Sequence, residues 1–217
     1  MASLVSRRRY DPVTPSRLVS RLAHDLTSAK PPAHALRVAV DGPRCAEPDA
    51  FAEALAAAVA ELGRLAIRVR ADAFWRDAAL RLERGRTDVA AFATDWLDTD
   101  AVRREVLQPL GPEGDGRYLP ALRDPHTNRS IRAPRRTAPA GAILLFSGEL
   151  LLGRDLPFDR TVHLAVSPAA RARCMPTEWA WTLPAFDNYD QLVDPIRIAD
   201  IVVRYDDPDH PALSRSE

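Results

Sequence analysis

The sequence predicts an α/β fold, a three-layer sandwich in which helices cover both faces of a parallel central sheet and a β-hairpin projects from it. Three observations lead there. From Leu36 onward strand and helix patterns alternate, at lengths that suit parallel βα units. The run Gly141-Ala-Ile-Leu-Leu-Phe146 is apolar throughout, as a strand buried on both faces must be. Finally, Leu36 to Val40, a tight turn at Asp41-Gly42 and an alanine-rich segment follow one another as strand, turn and helix.

Each element has a local cause. Thr14 as N-cap and Pro15 at the first helical position open a helix whose apolar stripe is Leu18, Val19, Leu22 and Leu26, and which ends before Pro31-Pro32. After the Asp41-Gly42 turn, Phe51, Leu55, Val59 and Leu62 line one face of a helix from Pro48, and Gly63 closes it. Leu65 to Ala71 reads as the second strand, followed by a helix through Leu80 and Leu82 that stops at Gly85. Val89 to Leu97 has no clean period and reads as a loop or short helix over a cleft. Asp98-Thr-Asp100 caps a helix through Leu107 that stops at Pro109. Alternation from Gly111 to Pro134, around His126-Thr-Asn128, predicts the hairpin. Arg160 to Val166 is a further strand and Ala199 to Val203 the last, with Trp179, Trp181, Phe186 and Tyr189 between them.

The 217 residues suit one domain, taken as 14–213, with disordered tails at 1–13 and 214–217. Acidic and basic residues balance at 30 each, so no net field points to nucleic acid or an anionic membrane. Lys30 is the only lysine, so no other can grip a phosphate. No apolar run approaches the ~20 residues needed to span a bilayer, and no secretory leader is visible, so the expected setting is cytoplasmic. Cys45 and Cys174 read as isolated thiols, since they lack C-x-x-C spacing. The five histidines have no ligand spacing, so no metal site is expected.

Val38-Ala-Val-Asp-Gly-Pro43, Asp72-Ala-Phe74, Leu107-Gln-Pro-Leu-Gly-Pro112, the Arg123 to Pro134 hairpin, Leu144-Leu-Phe-Ser-Gly148 and Ala199-Asp-Ile-Val-Val203 occur in one order. Together they resemble the uridine-kinase-like branch of the P-loop nucleoside kinases. The resemblance implies a P-loop NTPase-like sandwich and ATP-dependent phosphoryl transfer to a nucleoside hydroxyl, with Mg²⁺. It assigns Asp41, Gly42, Pro43 and Arg44 to a remnant nucleotide-binding loop and Asp72 to the catalytic base; capping of the following helix is the other role open to Asp72. Phe74, Trp75 and Phe92 fall to the nucleoside pocket, and Arg171 and Arg173 to a shortened lid.

The loop departs from the motif at three places: Glu47, Pro48 and Asp49 stand where Gly, Lys and Ser/Thr belong. Glu47 and Asp49 are expected to satisfy the helix N-terminus themselves and repel a triphosphate. Ser147 stands where an acid usually ends the strand, and Glu149, two residues on, is a weak metal candidate or a helix-starting residue. The expectation is therefore a degenerate nucleoside-kinase-like protein without a cofactor, acting through a nucleoside-like small molecule, a protein partner or a homo-oligomer. The competing expectation is an active kinase using ATP and Mg²⁺, with Arg44 and Glu149 in substituted roles.

Overall fold

The computed structural model of the chain describes residues 9–28 and 34–215. Its centre is a seven-stranded sheet in the order β1-β9-β8-β7-β2-β6-β3. Strands β2 (Leu36–Asp41), β3 (Ala66–Arg70), β6 (Ile143–Gly148), β7 (Arg160–Ala165) and β8 (Ile201–Arg204) are mutually parallel. The β-branched and leucine-rich strands β2 and β6 lie in the middle and are buried almost throughout.

Two strands escaped the sequence reading. Arg9–Pro12 (β1) pairs antiparallel with Ala212–Arg215 (β9), and β9 pairs with β8. Residues expected to be tail are therefore sheet from Arg9, and Val203 does not end the last strand. Their polar composition hid them, because an edge strand half open to water needs no apolar run.

One face of the sheet carries α1 (Pro15–Ser28) and α2 (Pro48–Glu61) over a core of Leu18, Leu22, Leu55, Val59, Val40 and Leu164. Thr14 Oγ1 accepts from Arg17 N at 3.4 Å, as an N-cap should. The expected helix stop at Pro31-Pro32 lies outside the described residues. Gly63 takes φ +78°, the left-handed geometry that ends α2, and leaves Leu62 exposed instead of on the stripe.

The other face is covered by shorter pieces. These are α3 (Ala78–Arg81), α4 (Val89–Thr94) and α5 (Thr99–Val102), whose last turn widens into a π-turn at Arg103–Leu107. Asp77, Asp88 and Asp98 each accept a backbone N–H at their starts. The hairpin is smaller than expected: a two-residue ladder of β4 (Arg117–Tyr118) with β5 (Arg136–Thr137), and an Arg123 to Ser130 bridge beyond it. After β7 come α6 (Pro168–Cys174), α7 (Leu183–Leu192) and α8 (Pro195–Ile198). Phe186 and Tyr189 of α7 are buried here with Trp96 and Phe92. Arg37 of β2, 7% exposed, crosses under this layer and holds Asp159 through Nη2 at 2.7 Å and Nε at 3.0 Å.

Candidate functional site

Strand order reverses beside β2: the chain leaves it for β3 at one edge, returns in β6, and then builds β7 and β8 on the other side. Open parallel sheets bind ligands outside the carboxyl ends of strands at such a point. A cavity of about 280 Å³ lies there, lined by the loop, the end of β3, the end of β6 and an aromatic wall.

The loop between β2 and α2 is a tight turn with charged side chains. Arg44–Ala46 forms a 3₁₀ turn, and Glu47 adopts φ 48°, ψ 56°. Left-handed backbone favours glycine, yet here it is occupied by Glu47, whose side chain is a carboxylate. Pro48 begins α2 at a position where its missing N–H costs little. Neither acid caps the helix, contrary to expectation, for α2 has no side-chain cap. Asp49 turns instead to Arg68 Nη2 and Ser147 Oγ, each at 3.1 Å. Gly42 serves packing: a Cβ there would stand 2.9 Å from Leu164 Cβ.

Arg44, the loop's one cation, is held by a carboxylate and a ring, with its Nε buried without a hydrogen-bond partner among the described residues. Its backbone N–H and Nη2 donate to Glu149 at 2.9 and 2.8 Å. Its guanidinium lies 3.7 Å from the ring centroid of Trp179. Glu149 starts no helix, contrary to one expectation. Burial pushes its carboxyl pKa above the ordinary value, Arg44 opposes this, and Asp72 adds to it. Among the described residues no group of three or more His, Cys, Asp or Glu could hold a metal ion.

Asp72 reaches the cavity but caps nothing, since α3 is capped by Asp77. Arg70 grips it, with Nε at 3.1 Å from Oδ1 and a second bond from Nη2 to Oδ2. Trp75 and Phe92 border the cavity, Phe92 almost wholly buried in the core, and are joined by Trp96, which was not expected there. Trp96 is 4% exposed and its indole N–H is buried without a partner. Phe74 does not face a ligand: it is fully buried against Phe146 in the core. Arg154, also unforeseen, lines the wall and donates to Leu150 O and Ala93 O.

The arginines expected on the lid stand outside the cavity. Arg171 is 3% exposed and pairs with Asp187 and Asp190 of α7 at 2.8 and 2.9 Å, so it fastens α6 down. Arg173 is exposed and outside the cavity. The two cysteines, expected apart, form a disulfide between the loop and the end of α6. Asp41 is likewise not open to a nucleotide. It is completely buried and accepts from His163 Nδ1 at 2.7 Å, Tyr189 OH at 3.0 Å and Leu151 N–H at 2.8 Å. Burial first, and then the charge of Asp41, raise the Tyr189 phenol above its ordinary pKa, so it stays a donor. Gly42 and Pro43 line a separate cleft of about 410 Å³ beside this cluster.

This parallel sheet, its strand order and its flanking helices make the fold that of the uridine-kinase-like P-loop kinases. Among solved structures the chain is similar to a possible uridine kinase from Bacillus stearothermophilus, with a TM-score of 0.69 at 17% identity, over 85% of this chain and 96% of that one. It is also similar to a candidate fructose transport system kinase from Silicibacter sp. TM1040, with a TM-score of 0.58 at 21% identity, over 80% and 95%. No protein-family model and no curated sequence matches the chain. No helix among the described residues is long and apolar enough to cross a membrane.

Proposed function

We propose that the chain is a degenerate nucleoside-kinase-like protein that binds a nucleoside-like small molecule in the 280 Å³ cavity and acts through that binding, or through assembly, instead of phosphoryl transfer. The observation that carries this reading is the Arg44–Glu149 pair. Phosphoryl transfer depends on positive charge and free N–H groups aimed at the phosphates. Here the loop's cation and its own backbone N–H are both spent on one carboxylate.

The rest of the cavity agrees. Three guanidiniums, from Arg44, Arg70 and Arg154, face four carboxylates, from Glu47, Asp49, Asp72 and Glu149, so a triphosphate meets no net positive field. The wall of Trp75, Phe92 and Trp96 suits stacking on a planar base. One feature favours an active kinase instead: Asp72 keeps the place of a base at the end of β3.

Calorimetry with Mg²⁺-ATP, uridine and cytidine separates the two. The proposal expects heat from a nucleoside, none from ATP at millimolar concentration, and no transfer of labelled γ-phosphate. Submillimolar ATP affinity that disappears in Arg44→Ala would overturn it. A loop rebuilt by Glu47→Gly, Pro48→Lys and Asp49→Thr together should gain ATP binding.

A further inference from the structure

We propose that Cys45 and Cys174 are a reversible redox site, a latch whose oxidised state fastens the lid segment onto the phosphate loop and whose co-reactant is a small thiol. The two residues are separated by 129 positions and their Cα atoms stand 5.5 Å apart, within disulfide reach. They come from segments that the fold holds independently. Cys45 sits in the 3₁₀ turn between β2 and α2, both rooted in the core by Val38, Val40, Phe51 and Leu55. Cys174 ends α6, which Arg171 ties to α7.

A second contact fastens the same two segments. Beyond Met175-Pro176, the turn Thr177–Thr182 lays Trp179 on the Arg44 guanidinium, the residue next to Cys45. Residues 44 and 45 of the loop are thus held by residues 179 and 174 of the lid, once by stacking and once covalently.

Exposure decides where chemistry starts. Cys174 is exposed, whereas Cys45 is half-buried, so a thiolate from solution attacks the Cys174 Sγ. A bond forms between the incoming sulfur and Cys174, the Cys45–Cys174 bond breaks, and Cys45 leaves as thiolate and takes a proton. A second thiol attacks the incoming sulfur in that mixed disulfide, frees Cys174 as a thiol, and leaves as the disulfide of the reductant. Two small thiols are oxidised and one protein disulfide is reduced. Because β2 and α2 are rooted in their own core, reduction frees the lid segment from the loop and leaves the sheet intact.

The test compares air-oxidised protein with protein in dithiothreitol and uses no ligand, so its result is independent of what the cavity binds. Trypsin should cut after Arg173 roughly 10-fold faster in the reduced state, since cleavage follows the open population. Tryptophan emission should shift as Trp179 leaves Arg44, while the far-UV circular dichroism stays unchanged. Cys45→Ser, with or without reductant, should match the reduced wild type. Equal cleavage and emission in both states would overturn the proposal. So would two free thiols in the oxidised protein, or loss of the circular dichroism signal on reduction, which would make the bond a requirement of the fold.

Discussion

Removing the Glu149 side chain is the most direct perturbation of the loop. Glu149→Ala deletes the acceptor of two charge-assisted hydrogen bonds from Arg44, at 2.9 and 2.8 Å. Such bonds contribute about 1.5–3 kcal/mol each when shielded from water. The Arg44 side chain is 29% exposed and recovers part of its hydration, so the total is nearer 2–3 kcal/mol. In a chain of 217 residues that corresponds to a fall in Tm of roughly 4–12 °C, read by thermal unfolding. Glu149→Gln separates the acceptor from the charge. Burial raises the carboxyl pKa despite Arg44, so folding makes this group harder to ionise than it is in the unfolded chain. A group raised in this way contributes stability that is present below its unfolded pKa and lost as pH rises through the folded one. Glu149→Gln keeps one oxygen acceptor but sets an NH2 against the other Arg44 donor, so near neutrality it should cost part of what Glu149→Ala costs. Relative to wild type it should gain as pH rises above the ordinary carboxylate range. A Glu149→Ala protein that melts within 2 °C of wild type, to order of magnitude, would refute the reasoning, because the pair would then hold nothing.

Three further outcomes follow from other parts of the molecule. Asp159→Asn should cost about 3 kcal/mol at pH 7 in urea unfolding, because it breaks the bidentate grip of Arg37. Burial works against the Asp159 carboxylate, but the Arg37 bonds outweigh it and lower its pKa. That stability is present above the ordinary carboxylate range and lost as pH falls through the folded value, so the gap to wild type should close in acid. Glu47→Gly should raise Tm by a few degrees, since glycine relieves about 1 kcal/mol of left-handed strain at φ 48°. Asp41→Asn should lower the unfolding free energy by about 2–4 kcal/mol, because an amide cannot accept from His163, Tyr189 and Leu151 together.

What the sequence revealed was local. The strand, turn and helix around Asp41-Gly42, the apolar run of β6 and the Asp98 cap are written in neighbouring residues, and each formed where periodicity and capping placed it. The departures of Glu47, Pro48 and Asp49 from the motif were equally plain, because a motif is a fixed spacing. The pairings were not. Asp41 meets His163 and Tyr189 across 122 and 148 residues, and Arg44 meets Glu149 across 105. Nothing in one chain's residue order encodes such partners. The same applies to Cys45 with Cys174. Arg171 shows the converse error: a charge that a resemblance assigns to chemistry was drawn into an ion pair with α7 when the lid shortened. Phe74 and Trp75 are adjacent and both aromatic, yet only the backbone's direction after β3 sends one to the core and the other to the cavity.

The sheet's edge strand β3 has a consequence for solubility. An uncovered edge offers its amides to any strand that drifts alongside, and chains guard against this with charge. On β3 the guard is Arg68 and Arg70. Arg68 is tied to Asp49 and Glu53, and Arg70 to Asp49 and Asp72, so an intruding strand would have to strip these ion pairs before it could dock. The same two arginines tether the carboxylates that face the cavity. Any lineage that retuned the pocket through Arg68 or Arg70 would lower the barrier to self-association with the same substitution, and the two properties would drift together.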